Sequence, residues 1–369
     1  MKLLIGGSPC THWSIAQTKN RETEASGIGW ELFLNYRIAR DKYKPDYFLY
    51  ENNKSMSPAI RTQITAELGV EPVLINSALV SAQNRQRLYW VGKREPDGTY
   101  SQVHVEQPED KGILLRDIKK QDFDSQQYRV YSPDGKSVTL CGNGGGVGAK
   151  TGLYAVPIKE EKVGIYPSGN GELTQCQSKR IYSVDAKGRV LNAGPGGLGV
   201  QTGLYAVPVP EPVNTTAEGK QMPVYEVCGG RITIKSKEYP IKLADGFYII
   251  RKLTVTECKR LQTVPDTYAF PVSDTQAYKM LGNGWTVDVI AHIMSHFEGL
   301  TEEPVEVLSM YDGMSCGHIA LDKLGATVAT YYATEIDKYA IQTTQRNFPE
   351  TVQLGDAFQV RNDDWGVKE

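Results

Sequence analysis

Both ends of the chain carry one pattern: a short apolar strand, a glycine-containing turn, and a segment that can form a helix. Residues 2–5 lead into Gly6 and Gly7, and residues 305–309 lead into a turn around Gly313. Strands that alternate with helices are typical of an α/β domain with a mostly parallel sheet, and glycine allows the sharp turns. We therefore predict one such sheet, built jointly from residues 1–94 and 251–369, with residues 2–5 beside residues 305–309.

The composition excludes several classes of protein. No stretch approaches the ~20 uninterrupted apolar residues of a membrane span, and the start of the chain lacks a signal peptide. The six cysteines and five histidines are scattered, so we expect free thiols in a reducing compartment, a cytoplasmic location and no bound metal. The formal net charge is -2, but residues 120–260 hold 19 basic against 13 acidic side chains, a local charge of +6 that suits phosphate contacts.

Three short motifs near the beginning carry reactive or charged side chains. Cys10 ends a Ser-Pro-Cys run, Glu51 follows an apolar strand-like run, and Arg85 and Arg87 lie in a Gln-Asn-Arg-Gln-Arg run. Taken singly, a cysteine is more often a buried small hydrophobe than a nucleophile, and a lone carboxylate or arginine pair is ordinarily solvated or ion-paired. In an extended segment the two arginines would share a face. The informative feature is the order of the three motifs.

Three further motifs lie in the last third of the chain. A Leu-Thr-x-x-Glu-x-x-Arg-Leu-Gln segment occupies residues 253–262, and a Leu-Gly-Asn-Gly-Trp segment occupies residues 281–285. The glycine turn at 311–313 is followed by Glu335, at the end of the next apolar run, and then by Asp356. A strand, glycine turn and helix, with an acid at the end of the next strand, form an arrangement that binds adenosine, because the turn approaches the ligand and the carboxylate accepts from the ribose.

Together the six motifs resemble those of the DNA (cytosine-5) methyltransferases, in which the cofactor-binding third normally comes first. Here it comes last, so the resemblance implies a circularly permuted, Rossmann-like methyltransferase that uses S-adenosylmethionine. The likeness covers residues 2–94 and 250–357. Residues 11–14 and 311–313 resemble most closely the de novo branch of the family.

The resemblance also implies catalytic roles. The Cys10 thiolate would add to carbon 6 of a cytosine that has been flipped out of the duplex. Glu51, as a protonated or proton-sharing carboxyl, would hydrogen-bond ring nitrogen 3 and the amino group, which stabilises the charge that develops on addition. Arg87, supported by Arg85, would anchor the base or orient Glu51. The reaction needs no metal.

For the cofactor, the resemblance implies that Tyr311 lies against the adenine, Glu335 on the ribose, and Asp356 at the adenine amino group. The other implied cofactor contacts are Asp312, Gly313, Met314, Ile336, Asn283 and Trp285.

The central region, residues 95–250, contains an internal repeat. Residues 128–158 recur as residues 180–209 at an offset of 51 positions, and a weaker likeness extends over residues 224–250. Short apolar runs separated by Asp-Gly, Gly-Gly and proline turns predict a β-rich lobe, in the place of the family's target-recognition domain. The side chains that could contact DNA, in this lobe or in the loop after Cys10, are Ser14, Arg129, Lys136, Lys150, Arg180, Asn192 and Arg231.

Two alternatives stay open at this point. A transfer-RNA cytosine-5 methyltransferase shares the catalytic motifs, although the large central insert argues for DNA. A non-catalytic DNA-binding relative is disfavoured because Cys10, Glu51, Arg87 and Glu335 are all intact. We expect double-stranded DNA as the partner and no membrane, with a cognate restriction nuclease as a candidate second partner. The sequence indicates neither the recognised site nor the oligomeric state.

Overall fold

The computed structural model describes residues 1–13, 21–118, 162–168, 172–173, 179–187, 191, 204–209, 215–217, 220–251 and 253–367. The first part of the chain forms β1 (Lys2–Gly6), α1 (Gly27–Tyr43), β2 (Tyr47–Asn53), α2 (Pro58–Leu68), β3 (Pro72–Asn76), β4 (Gln86–Arg94) and β5 (Tyr100–Gln102). The central part forms β6 (Lys162–Ile165), β7 (Arg180–Ser183), β8 (Leu204–Val209), β9 (Thr215–Ala217), β10 (Lys220–Met222), β11 (Val224–Cys228), β12 (Arg231–Ile234), β13 (Lys237–Pro240) and β14 (Gly246–Arg251). The last part forms α3 (Val255–Leu261), α4 (Asp274–Asn283), α5 (Val287–Met294), β15 (Val305–Met310), α6 (Cys316–Leu324), β16 (Val328–Thr334), α7 (Lys338–Asn347) and β17 (Val352–Gly355).

The larger sheet joins the two ends of the chain. Its strands follow the order β17-β16-β15-β1-β2-β4-β3, and β5 pairs with β4. The first five are parallel, whereas β4 runs antiparallel to both of its neighbours. Lys2 lies opposite Glu306 and Ile5 opposite Ser309. The predicted pairing of residues 2–5 with residues 305–309 is therefore confirmed, and so is the mostly parallel α/β sheet.

Apolar side chains cover both faces of this sheet, as a buried parallel strand requires. Leu3 and Ile5 of β1 pack into a core with α3, α5 and α6, whereas Leu4 packs into a second core with α1 and α2. Alternation along the strand produces this division, because successive side chains point to opposite faces. The helices thus lie on both sides of the sheet.

Local sequence signals fix several helix ends. Ser57 accepts a hydrogen bond from the Ile60 amide at 3.3 Å to begin α2, and Gly69 ends that helix in the left-handed region with a φ of 77°. Thr254 and Glu257 form a reciprocal capping box at the beginning of α3. This box follows directly after β14, where the chain returns from the central lobe.

The central lobe is β-rich, as predicted. Seven described strands form a second sheet in the order β13-β12-β11-β14-β8-β7-β6, and β9 pairs with β10 in a hairpin. All neighbours in the seven-stranded sheet are antiparallel except β7 and β8, which belong to the second copy of the repeat. The first copy, residues 128–158, lies outside the described residues.

A buried lysine joins this lobe to the larger sheet's domain. Lys187, which follows β7, donates to the backbone carbonyls of Ala78 at 2.7 Å, Ser81 at 3.1 Å and Ile113 at 2.5 Å. Burial lowers the pKa of Lys187. The repeat therefore docks on the loop that leads from β3 to β4, which is the loop that carries Arg85.

Candidate active site

Two turns leave the larger sheet at the same edge. β1 and β15 are adjacent and parallel, and their last residues, Gly6 and Met310, lie opposite each other. The turn after β1 leads to Cys10, and the turn after β15 runs from Tyr311 to Ser315. Because the carboxyl ends of parallel strands meet at one edge, side chains from both turns can face a shared cleft.

The turn after β1 is fixed to the end of β2 by neutral polar groups. The Ser8 and Tyr50 hydroxyls are 2.7 Å apart, and the Asn52 amide donates to the Ser8 carbonyl at 3.2 Å and to the Tyr50 hydroxyl at 3.1 Å. Cys10 begins a short 3-10 helix, Cys10–His12, and is described through its backbone. The network fixes Ser8, two residues before Cys10, to the two residues that flank Glu51.

The close approach of the turn after β1 to Glu51 requires a glycine at position 7. A Cβ atom at this position would lie 2.8 Å from the Glu51 carbonyl oxygen and 2.9 Å from its Oε2. Neither distance is compatible with a carbon atom, so the turn can pass Glu51 only because residue 7 has no side chain.

Each carboxylate oxygen of Glu51 contacts a different side chain, one through an ion pair and the other through a hydrogen bond. Arg87 Nε lies 3.0 Å from Oε1, and the Trp285 indole nitrogen donates to Oε2 at 3.0 Å. Arg87 reaches Glu51 because β2 and β4 are antiparallel neighbours, with Asn53 opposite Arg87. The side chains of both members of the ion pair are largely buried, at 12% exposed for Glu51 and 14% for Arg87. The carboxylate is thereby held in one orientation at the cleft.

The loop after α4 is fixed by a second set of hydrogen bonds. Arg85, which is 3% exposed, donates to the carbonyls of Gly282 at 3.2 Å and Gly284 at 3.0 Å. The Thr286 hydroxyl donates to the Gln262 side-chain oxygen at 2.8 Å. Arg85 thus supports the backbone on both sides of Asn283, an exposed residue, and next to Trp285.

The turn after β15 holds three residues with left-handed backbone. The φ angles are 61° at Tyr311, 60° at Gly313 and 56° at Ser315, values that cost energy for residues with a Cβ. Asp312 stabilises this backbone, because it accepts from the Tyr331 hydroxyl at 2.8 Å and from the Ser315 hydroxyl.

Burial raises the pKa of Asp312 to about 6. Hydrogen bonds from Ser315, Ser309 and Tyr331 oppose this shift, and the nearby negative charge of Glu335 adds to it.

Backbone amides surround Glu335 at the end of β16. Its Oε2 accepts from the Gly313 amide at 2.8 Å, and its Oε1 accepts from the amides of Ile336 and Asp337, each at 2.8 Å. An ionised carboxylate has about four acceptor positions, so these three bonds leave capacity for a ribose hydroxyl. Ile336 is 74% exposed, which leaves an apolar side chain at the rim of the cleft.

The remaining predicted cofactor residues lie around the same turn. Tyr311 donates its hydroxyl proton to the Leu32 carbonyl of α1 at 2.7 Å, and burial raises its pKa. Met314 is buried, and its carbonyl accepts from the Tyr268 hydroxyl at 2.6 Å. Asp356 follows β17 and accepts from the Phe358 amide at 3.0 Å. This arrangement fits an adenosyl ligand. It consists of a strand, a glycine turn, the nine-residue helix α6 and an oriented acid on the next strand.

The predicted DNA contacts have mixed outcomes. Ser14, Arg129, Lys136, Lys150 and Asn192 lie outside the described residues. Arg180 lies half-buried in β7, opposite Ile165 of β6. Arg231 is exposed at the beginning of β12, where its Nε donates to Glu238 at 2.7 Å.

Three further side chains support the site although the sequence motifs assign them no role: Tyr50, Asn52 and Gln262. Tyr50 and Asn52 lie two positions apart on a strand and flank Glu51, so they share the face opposite to it. Gln262 closes the Arg-Leu-Gln motif and supports Thr286.

Among the described residues, no group of His, Cys, Asp and Glu side chains could hold a metal ion, and no helix is long and apolar enough to cross a membrane.

Comparison with known proteins gives a consistent set of relatives. A family model for C-5 cytosine-specific DNA methylases matches residues 1–298. The chain is similar to the type II methyltransferase M.SsoII of Shigella sonnei, with 55% identity over 301 residues that cover 78% of this chain and 62% of that protein. It is also similar to the type II methyltransferase M.HpaII of Haemophilus parainfluenzae, with 26% identity over 301 residues that cover 78% of this chain and 69% of that protein. Among solved structures, the Entamoeba histolytica methyltransferase EhMeth aligns with a TM-score of 0.45 and 12% identity, covering 80% of this chain and 76% of that one.

Proposed function

The chain belongs to the C-5 cytosine-specific DNA methylase family, and we propose that it methylates cytosines within a short target sequence of double-stranded DNA, through a covalent adduct on Cys10. It is a DNA (cytosine-5) methyltransferase whose methyl donor is S-adenosylmethionine. The observation that carries the proposal is the position of Glu51, which is held between Arg87 and Trp285 at the sheet edge where the turn after β1 and the turn after β15 meet.

The residues of this edge supply the chemistry that carbon 5 of cytosine lacks. The Cys10 thiolate adds to carbon 6, and the electron pair of the 5,6 double bond moves into the ring so that carbon 5 becomes nucleophilic. Glu51 shares a proton with ring nitrogen 3, where charge accumulates, and accepts a hydrogen bond from the amino group. S-adenosylmethionine, when bound, supplies an electrophilic methyl group on its sulfonium sulfur. Removal of the carbon 5 proton by a base then restores the double bond and expels the Cys10 thiolate.

Three residues would hold the cofactor. Glu335, already oriented by three backbone amides, would accept from the ribose hydroxyls, and Tyr311 and Asp356 would flank the adenine. The left-handed backbone at Gly313 lets the turn approach the ligand closely.

The order of the strands supports a circular permutation. The cofactor-binding strands β15, β16 and β17 come last in the chain, yet they lie beside β1. Exchanging the first and last thirds of a chain is tolerated when the joined ends lie close together at the surface. The joined ends fit this condition, since only residues 295–304 separate α5 from β15 and residues 301–304 are exposed. The likeness of residues 311–313 to the de novo branch stays a prediction.

The β-rich lobe of residues 95–250 selects the target in this proposal. The local charge of +6 over residues 120–260, which include most of this lobe and its return to α3, suits a polyanion. Lys187 docks the lobe on the loop that carries Arg85. Arg231 is the exposed candidate for a DNA contact among the described residues named above. The type II names of two relatives support a cognate restriction nuclease, whereas the name of the Bacillus phage SPR relative, orphan methyltransferase M.SPRI, supports a solitary enzyme. A cytoplasmic site of action completes the proposal.

Methyl transfer tests the proposal directly. Purified protein with labelled S-adenosylmethionine should label duplex DNA and leave transfer RNA unlabelled, and bisulfite sequencing of the product should show one methylated sequence context. Replacing Cys10 by Ser should lower the rate by about 1,000-fold or more, since the covalent route is lost. Label in transfer RNA alone would support the RNA alternative, and binding of DNA without transfer would support a non-catalytic relative. Near-normal transfer by Cys10→Ser would refute the covalent mechanism.

A further inference from the structure

Trp285 connects the two halves of the cleft. Its indole nitrogen donates to Oε2 of Glu51 at 3.0 Å, on the side of the target base. On the side of the cofactor turn, the Cys316 thiol at the beginning of α6 lies close to the backbone of Gly284, next to Trp285. A Cβ atom placed on the neighbouring Gly284 would lie 3.2 Å from the Cys316 sulfur and 3.6 Å from the Met314 sulfur. The loop that carries Trp285 is therefore packed directly against the turn after β15.

This loop has little freedom to move away from Glu51. Arg85 holds the carbonyls of Gly282 and Gly284, and Gln262 donates to the Gly284 carbonyl at 3.3 Å. On the other side of Trp285, the Thr286 hydroxyl lies 2.9 Å from the Ser77 hydroxyl. A side chain on a backbone held at so many points can fix the direction of its hydrogen bond.

We propose that Trp285 is a positioning residue for the target base: its indole N–H sets the orientation of Glu51 and links that orientation to the cofactor turn. This inference rests on the proposed function, since it assigns Glu51 to the cytosine. An indole N–H only donates, so it orients the carboxylate without adding a positive charge beside Arg87. With Arg87 paired to Oε1 and the indole N–H on Oε2, Glu51 keeps an acceptor position for the amino group of the cytosine, and a proton on its carboxyl can be shared with ring nitrogen 3.

The inference gives Trp285 a different role from that of a cofactor contact. A residue that only contacts S-adenosylmethionine would change cofactor affinity. A residue that orients Glu51 would change the step in which Cys10 adds to the ring, because that step needs the hydrogen bonds from Glu51. Cofactor affinity in the absence of DNA would then be preserved.

The test uses Trp285→Phe, which removes the N–H and keeps an aromatic ring. Trp90→Phe is a matched control. The Trp90 indole, in β4, donates to the Thr65 hydroxyl at 2.9 Å, so this substitution also removes one hydrogen bond of an indole. Three quantities are measured in the full-length proteins: the affinity for S-adenosylhomocysteine without DNA, kcat on duplex DNA, and the rate of covalent adduct formation on duplex DNA that contains 5-fluorocytosine.

For Trp285→Phe we expect kcat and the rate of adduct formation to fall about 10-fold or more, as is typical for loss of a hydrogen bond to a charged group. S-adenosylhomocysteine affinity should stay within about twofold, and Trp90→Phe should retain all three values. In a Glu51→Gln background, Trp285→Phe should add little further loss, because the two residues act as one unit.

Three results would overturn the inference: weakened S-adenosylhomocysteine affinity with preserved kcat at saturating cofactor, unchanged kcat in Trp285→Phe, or fully additive losses with Glu51→Gln. The failure of the proposed function is distinguishable from these, since it would appear in the wild-type protein as absent transfer to cytosine in DNA.

Discussion

The two sides of the cleft hold a carboxylate in opposite ways. On the target-base side, Glu51 is held by the side chains of Arg87 and Trp285, which come from positions 36 and 234 residues farther along the chain. On the cofactor side, Glu335 is held by backbone amides, two of them from the residues that follow it directly. A carboxylate held by backbone amides keeps its orientation whatever side chains its donors carry. One that is held by side chains depends on the identity of each partner.

The difference matches what each carboxylate must do. Glu335 would bind the same ribose in every catalytic cycle, so a rigid backbone frame suits it. Glu51 would meet a base that arrives by flipping and on which charge develops, so it is an advantage that partners from two different elements hold its carboxylate ready before the base arrives. The two regions therefore differ in how the carboxylate is held although they lie at one edge of the same sheet.

The largest effects should come from removing the two carboxyl charges separately. We expect Glu51→Gln to lower kcat by about 100- to 1,000-fold, since a group that stabilises developing charge is lost. We expect Glu335→Gln to raise the KM for S-adenosylmethionine by about 10-fold, with a much smaller effect on kcat, because a binding interaction is lost. Steady-state kinetics with saturating DNA measure both parameters.

These variants separate the two sides of the cleft only if Glu51→Gln changes mainly kcat and Glu335→Gln changes mainly the KM for S-adenosylmethionine. A large loss of kcat in Glu335→Gln at saturating cofactor would show that the cofactor side also controls the chemical step. A large rise in the KM for S-adenosylmethionine in Glu51→Gln would place Glu51 in the cofactor site. Circular dichroism of both variants controls for misfolding.

Substitutions at two glycines, one on each side of the cleft, should have effects of intermediate size on activity and stability. Gly7→Ala would push a methyl group against the Glu51 carbonyl and Oε2, at 2.8 and 2.9 Å, so we expect about 1–3 kcal/mol of destabilisation and a loss of kcat. Gly313→Ala would meet no atom within 4 Å and would suffer only from its φ of 60°, for about 1–2 kcal/mol. Urea unfolding and kcat should be measured for both.

The expected distinction is in activity more than in stability. Gly7→Ala displaces Glu51 directly, so its kcat should fall more than that of Gly313→Ala when cofactor is saturating. If the two variants lose kcat equally, the contact between Gly7 and Glu51 has no special bearing on the target-base side.

The backbone-held side was the easier one to predict from sequence. The strand, glycine turn and following acid lie within about 20 residues of one another, and that spacing predicts the position of Glu335 from local structure alone. The pairing of β1 with β15 was also predicted, because both strands end in the same kind of turn.

The contacts of Glu51 could not be predicted in the same way. The cofactor contact that the resemblance implies for Trp285 stays a prediction. The hydrogen bond from its indole to Glu51 joins residues 234 positions apart, so no local pattern indicates it. In the same way, Arg85 was expected to support Arg87 but donates to the backbone at Gly282 and Gly284. The docking of Lys187 on three carbonyls likewise joins segments that are about 75 to 110 positions apart, and no local pattern indicates it.

Asp312 allows a smaller test, since on the cofactor side it is the carboxylate held by side chains. Burial raises its pKa from 3.8 in the unfolded chain to about 6 in the folded protein. Between these values the folded state binds more protons, so this group's contribution to stability falls as the pH rises through that window. Asp312→Asn keeps an acceptor oxygen for one of the two hydroxyls of Tyr331 and Ser315, presents an NH2 group to the other, and cannot ionise. Between pH 5 and pH 7 the wild-type protein should therefore lose about 1 kcal/mol of unfolding free energy relative to Asp312→Asn. Urea titrations of both proteins at the two pH values measure this difference, in which the contributions of all other ionisable groups cancel.

A difference that stays constant, or that moves in favour of the wild type at pH 7, would mean that Asp312 is already ionised in the folded protein at pH 5. Its hydroxyl partners would then hold the charge as firmly as the backbone amides hold Glu335.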